Sequence, residues 1–105
     1  MDVELLIVPD CPNENVTAQL LHTALVDVGL APAHFRTTVI STPAEAEQRG
    51  FTGSPTVLLN GVDPFAEPGR PVGLSCRVYR NPSGSGGVPD LAALRQALKR
   101  AAARQ

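Results

Sequence analysis

Cysteine is scarce in this chain: Cys11 and Cys76 are its two thiols. They are too few to staple a disulfide miniprotein, and a four-thiolate metal centre is excluded by the same count. Excess charge is also missing. Nine Lys+Arg oppose ten Asp+Glu for a net charge of −1, and 18% of residues are charged. Such a balance offers no field for a phosphate backbone or an anionic bilayer, so neither nucleic acid nor membrane is expected as a partner. No apolar run approaches the ~18 residues that span a membrane. Met1-Asp2-Val3-Glu4 opens on acidic rather than basic residues, unlike a secretory signal. Internal repeats and dividing linkers are absent too. What remains is 105 residues with a hydrophobic fraction of 43%, which is one domain's worth of packable chain. A single domain over 1–105 is expected, in the cytoplasm, where thiols stay reduced.

Val3-Glu4-Leu5-Leu6-Ile7-Val8 is an almost continuous apolar run closed by Pro9-Asp10, which predicts a central strand covered on both faces. From Asn13 the period changes. Val16, Leu20, Ala24 and Val28 recur every four residues, with Leu21 and Leu25 widening the stripe, and Gly29 closes the predicted helix. After the Leu30-Ala31-Pro32 turn, Phe35, Thr37 and Val39 alternate with Arg36, Thr38 and Ile40 as a second strand. Thr42-Pro43-Ala44-Glu45 supplies an N-cap, a proline at the first helical position and a capping-box glutamate, for a short helix ended by Gly50.

Thr56 to Leu59 is the third predicted strand, stopped by Asn60-Gly61. Residues 62–73, with Pro64, Pro68 and Pro71, read as a loop of roughly a dozen residues. Leu74, Cys76 and Val78 then alternate with Ser75, Arg77 and Tyr79, which predicts a fourth strand with Cys76 turned inward. A glycine- and serine-rich turn at 81–87 leads to a last helix with Leu91, Leu94, Leu98 and Ala101 on one face. Arg95, Lys99, Arg100 and Arg104 crowd its C-terminal half, where they complement the helix dipole. The order β-α-β-α-β-β-α gives an α/β fold. Its first two strands are parallel, its last two antiparallel, and the four form one mixed sheet flanked by helices.

Cys11-Pro12-Asn13-Glu14 falls where the first strand hands over to the first helix. With Pro12 at the first helical position, Cys11 lies at or beside the N-cap, where unpaired N–H groups and the helix dipole favour a thiolate. Asp10 and Glu14 oppose that effect. The same cysteine would also serve as a small apolar capping residue. Gly53-Ser54-Pro55-Thr56 opens the third strand, a position compatible with either a cis or a trans peptide bond. With antiparallel third and fourth strands, Cys76 would stand level with about Leu58. That is ~10 Å along the strand from Pro55 and another ~9–10 Å to the side. A disulfide needs Cα atoms within about 7 Å, so Cys76 reads as a core residue. His22 and His34 show no metal-ligand spacing and read as solvated imidazoles.

The element order, Val8-Pro9-Asp10-Cys11-Pro12 and Ser54-Pro55-Thr56-Val57-Leu58 together resemble the thioredoxin-like family over essentially the whole chain. The Cys-Pro start is similar to glutaredoxins. The Gly50-Phe51-x-Gly53-Ser54-Pro55-Thr56, Pro64-Phe65-Ala66 and Leu74-Ser75-Cys76-Arg77-Val78-Tyr79 segments resemble small bacterial thioredoxin-like proteins, some labelled alkylmercury lyase. The resemblance implies a reactive Cys11, a cis Pro55 beside it, and a substrate groove shaped by Pro12, Ser54 and Pro55. In that groove the residue before the proline offers its backbone to an extended substrate. Glu14 stands where dithiol enzymes carry their second cysteine, so resolution within the motif is impossible. The implied function is thiol redox or thiol exchange through Cys11 with a small thiol or a protein partner, without cofactor or metal. Two alternatives remain: a non-catalytic binding module on the same scaffold, and soft-metal or organomercurial chemistry with Cys76 as a second thiol.

Overall fold

Every residue of β1 (Val3–Ile7) is buried, as the apolar run requires of a strand covered on both faces. The computed structural model describes residues 1–30, 34–82 and 84–103. Ala31 and Pro32 of the predicted turn, and Arg104 of the predicted last helix, lie outside the described residues. β1 pairs in parallel with β2 (Arg36–Val39), from Glu4 opposite Arg36 to Ile7 opposite Val39. On its other edge it pairs antiparallel with β3 (Thr56–Leu59), from Val3 opposite Leu59 to Leu6 opposite Thr56. The sheet order is β2-β1-β3.

The period of two sorts the strands between two cores. Val3, Leu5 and Ile7 join Val57 and Leu59 on one face. That face packs under Leu21, Ala24 and Leu25 of α1 (Glu14–Asp27) and Leu94, Ala97 and Leu98 of α3 (Leu91–Ala103). Leu6 and Leu58 occupy the opposite face with Ile40, Phe51 and Ala46, the last from α2 (Pro43–Arg49). Arg95 reaches Asp27 at 2.6 Å and ties α3 to α1.

Local signals explain the helix ends. Gly29, at φ 77°, follows α1, and the Leu30 N–H donates to the Leu25 carbonyl at 2.9 Å while the Gly29 N–H reaches Val26. This double closure satisfies carbonyls that the helix end would otherwise orphan. Thr42 caps α2 by accepting from the Glu45 N–H at 3.1 Å, and Gly50 closes it at φ 61°. The buried stripe of α1 is one residue out of phase with the expected one. Thr17 is buried while Val16 is 50% exposed, because the inner face is centred on Leu21 and Leu25.

The four-stranded sheet is not formed. After β3, Asn60 (φ 53°) and Gly61 (φ 80°) make a tight turn, and Leu59 and Val62 exchange hydrogen bonds across it. Asp63-Pro64 then ends the pairing. The later strand residues are β4 (Tyr79–Asn81), which pairs antiparallel with β5 (Gly84–Gly86) as a separate two-stranded ribbon. Between β3 and β4 the chain makes a backbone bridge beside the start of β3, Ser54 with Cys76, and that bridge is parallel. A parallel return needs a crossover of about a dozen residues, and the 62–73 loop supplies it. The antiparallel expectation had the chain return beside β3 after that loop, whereas the loop carries it back to the β3 start to run in the same direction.

Glu4 is a charge buried within the sheet. It is 6% exposed on β1 and accepts from Arg49 of α2 at 2.6 Å and from Thr38 of β2 at 2.7 Å. Burial pushes its carboxyl up, but the Arg49 and Thr38 hydrogen bonds and the charges of Arg49 and Arg36 outweigh it. The net value lies below the ordinary 4.5. A lowered folded value means the stabilisation is whole above pH 4.5 and fades as the pH falls through the folded value. Glu4→Gln is expected to lower unfolding stability by about 1–2 kcal/mol at neutral pH. It should also flatten the acid limb of stability in denaturant melts; a variant with the wild-type acid limb would contradict this assignment.

Candidate functional site

Two turns bring the site together. At the end of β1, Asp10 takes the left-handed conformation at φ 57°, which a short polar side chain tolerates better than most. The chain reverses there, and the Glu14 N–H donates to the Cys11 carbonyl at 3.3 Å. The first helical residue is therefore Glu14 and the N-cap is Asn13, with no side-chain capping bond. Cys11 stands two residues outside the cap, and Pro12 belongs to the turn rather than to the first helical position. The cysteine is half-buried against the α1–α3 core.

On the β3 side, the Ser54–Pro55 peptide bond is cis. Ser54 is buried, and its hydroxyl oxygen accepts from the Val8 N–H at 3.0 Å. A hydroxyl has one proton, and with Val8 on the oxygen lone pair that proton is donated to Cys11 Sγ, also at 3.0 Å. The sequence-derived residues Cys11, Ser54 and Pro55 thus meet at one point, with Pro12 exposed beside them.

Cys76 is placed differently from its expectation: it is exposed, not core. The alternation of residues 74–79 is real, but its phase is reversed. Arg77 is 2% exposed and Tyr79 4%, whereas Val78 is 51% exposed. The inversion follows from partners waiting inside. Arg77 Nη1 donates to Asp63 at 2.6 Å and to Thr56 Oγ1 at 3.1 Å, and Nη2 donates to the Phe65 carbonyl at 2.6 Å. Its guanidinium lies 4.8 Å over the Tyr79 ring, which packs edge-on against Phe65. The Tyr79 hydroxyl donates to the Pro55 carbonyl, and burial raises that hydroxyl well above the usual phenol range. Both terminal nitrogens of Arg77 are satisfied, though its buried Nε has no partner among the described residues, and this pairing outweighs the burial of one thiol.

Arg77 and Gly53 also fix how closely the two segments approach. A Cβ on Gly53 would sit 3.0 Å from the Arg77 Cβ, and Gly53 has φ 141°, so glycine alone fits this contact. One residue on, the Ser54 N–H donates to the Ser75 carbonyl at 2.9 Å and the Arg77 N–H donates to the Ser54 carbonyl at 3.0 Å. Both backbone groups of Ser54 are therefore taken by the chain itself. An extended substrate adding at Ser54 would have to displace residues 75–77.

His22 and His34 are exposed and join none of these contacts. Among the described residues, no three His, Cys, Asp or Glu side chains gather as metal ligands, and no helix is long and apolar enough to cross a membrane. Sequence alone offers Arg77 as one side of a weak anion site with Arg70 and Arg80, and misses that Asp63 and the Tyr79 ring hold it inside. The acid-bearing turn Asn60-Gly61-Val62-Asp63 and an arginine alternating with a tyrosine were the available signal. Comparison with known protein families, curated proteins and solved structures finds no match, so the functional reading rests on this geometry.

The Ser54 hydroxyl donates to the Cys11 sulfur and holds it in place. Ser54→Ala is expected to slow alkylation of Cys11 by iodoacetamide at neutral pH about three- to tenfold, the scale of one lost hydrogen bond. Mass mapping of the alkylated peptides reads the rate. An unchanged Cys11 rate would show that the hydroxyl does not act on the sulfur.

Proposed function

We propose that this chain is a thioredoxin-like protein that exchanges thiols through Cys11. The observation that carries the reading is the Ser54 hydroxyl. Val8 N–H fixes it, the cis Ser54–Pro55 turn presents it, and it donates to Cys11 Sγ at 3.0 Å. The parallel β1–α1–β2 unit and the antiparallel β3, preceded by the Ser54 that bonds Cys11, support the scaffold assignment.

The chemistry is attack of the Cys11 thiolate on a disulfide sulfur, which forms a mixed disulfide and releases the other half as a thiolate. Cys11 is half-buried, so a reagent can reach it, while its neighbour Ser54 is closed to solvent. Because Ser54's backbone is engaged with residues 75 and 77, the reading favours a low-molecular-weight thiol compound over an extended peptide as the exchange partner.

Native protein incubated with oxidised glutathione is expected to react at Cys11 about tenfold faster than the urea-unfolded chain, because folding supplies the hydrogen bond to the sulfur. Peptide mapping under acid quench locates the first adduct, and Cys11→Ser abolishes it. Equal rates in the folded and unfolded chains would reject thiol exchange and leave the scaffold as a non-catalytic binding module.

A further inference from the structure

We infer that Cys11 and Cys76 are a redox pair, in which the 74–77 segment holds Cys76 against the Ser54 edge to resolve the mixed disulfide formed on Cys11. The inference rests on the thiol-exchange reading and adds the residue that completes its cycle.

The parallel bridge carries the argument. Bridge partners share a face of the sheet, so Cys76 emerges on the same side as Ser54. Ser54 directs its hydroxyl to Cys11 Sγ on that side. Residues on the other side confirm the phase independently. Gly53 backs onto the Arg77 Cβ, and the Arg77 side chain runs to Thr56 and Asp63. Cys11, Ser54 and Cys76 therefore lie in a row. Adjacent strands put the Cys76 Cα about 5 Å from that of Ser54, and Ser54 Oγ is 3.0 Å from the Cys11 sulfur. Ser54 thus stands between the two cysteines, bridged to Cys76 through its backbone and bonded to Cys11 through its hydroxyl.

Bonding requires Cα atoms within about 7 Å, and with Ser54 between the two cysteines the 74–77 segment has to move toward Cys11 over Ser54. It is attached at the bridge by two backbone hydrogen bonds, and Leu74, Ser75 and Cys76 are exposed. Nothing in the segment before Arg77 is packed into either core. Arg77 is the fixed end, and Cys76 is the first residue beyond it.

The steps balance. The Cys11 thiolate attacks a low-molecular-weight disulfide, forming a mixed disulfide and expelling one thiolate. The Cys76 thiolate then attacks Cys11 Sγ, breaking the mixed bond and expelling the second thiolate. The substrate disulfide gains two electrons, the protein dithiol loses them, and the two thiol protons pass to the departing thiolates. A small-molecule thiol in excess reverses both steps and restores the dithiol.

The test uses the full chain, wild type and Cys76→Ser, incubated with oxidised glutathione, quenched with acid and read by intact mass and peptide mapping. Cys76 is exposed and meets β3 only through backbone atoms, so the serine variant keeps the fold, which circular dichroism checks. Wild type is expected to pass through the Cys11 adduct to an internal Cys11–Cys76 disulfide. In Cys76→Ser the glutathione adduct on Cys11 is expected to persist at least about tenfold longer. A wild-type chain that keeps its Cys11 adduct and forms no internal bond overturns the pair while leaving thiol exchange standing. Absence of any adduct on Cys11 in both proteins overturns both.

Discussion

A guanidinium drawn out of water must find partners for its N–H groups, and much of the arrangement around the site follows from where Arg77 finds them. Asp63, Thr56 and the Phe65 carbonyl take its hydrogen bonds, and the Tyr79 ring takes its face. Removing one partner of the Arg77–Asp63 pair leaves an uncompensated buried charge, at a cost of about 3–5 kcal/mol. The pair does two structural jobs. It binds the 62–73 loop to the start of β3, and it sets which residues of 74–79 face inward. A strand's period is two, so fixing Arg77 inside fixes Cys76 outside.

That outward Cys76 faces a serine already engaged with the other cysteine. The chain lays its own residues 75–77 along the backbone groups of Ser54, so the edge next to Cys11 carries a built-in strand with a thiol in its middle. Glu14 occupies the place where a dithiol motif would put its second sulfur. The other cysteine, Cys76, comes to Ser54 from a segment far away in sequence, delivered by a loop long enough to return in parallel. The same loop accounts for the two-stranded ribbon, because a chain that rejoins β3 at its first residue and then follows Arg77 inward leaves β4 to pair with β5 rather than with the main sheet.

Much of this was legible in the residues. The buried β1, the Gly29 and Gly50 helix stops, and the Thr42-Pro43-Glu45 start all follow from local rules, because each signal acts within a few residues of its effect. The meeting of Cys11 with Ser54 and Pro55 followed from a family resemblance in the motifs. The register of residues 74–79 was not legible. Alternating apolar and polar residues specify a period but leave the phase to whichever face offers better partners, and Arg77's partners come from Asp63 and Phe65 across a proline-rich loop. Hydrophobicity alone favours Cys76 and Val78 inside. The helix start slipped for a similar reason: Pro12 suits a first helical position, but the reversal at Asp10 spends Cys11 to Asn13 on a turn first.

The central claim is that the chain docks in parallel on Ser54 with Arg77 inward. Amide hydrogen exchange of the native protein, resolved residue by residue by NMR, tests it most directly. The Ser54 and Arg77 N–H groups, each donating across the bridge, are expected to be protected together and far above the level of exposed loop amides. Exchange of both at the rate of an unstructured chain would contradict the account.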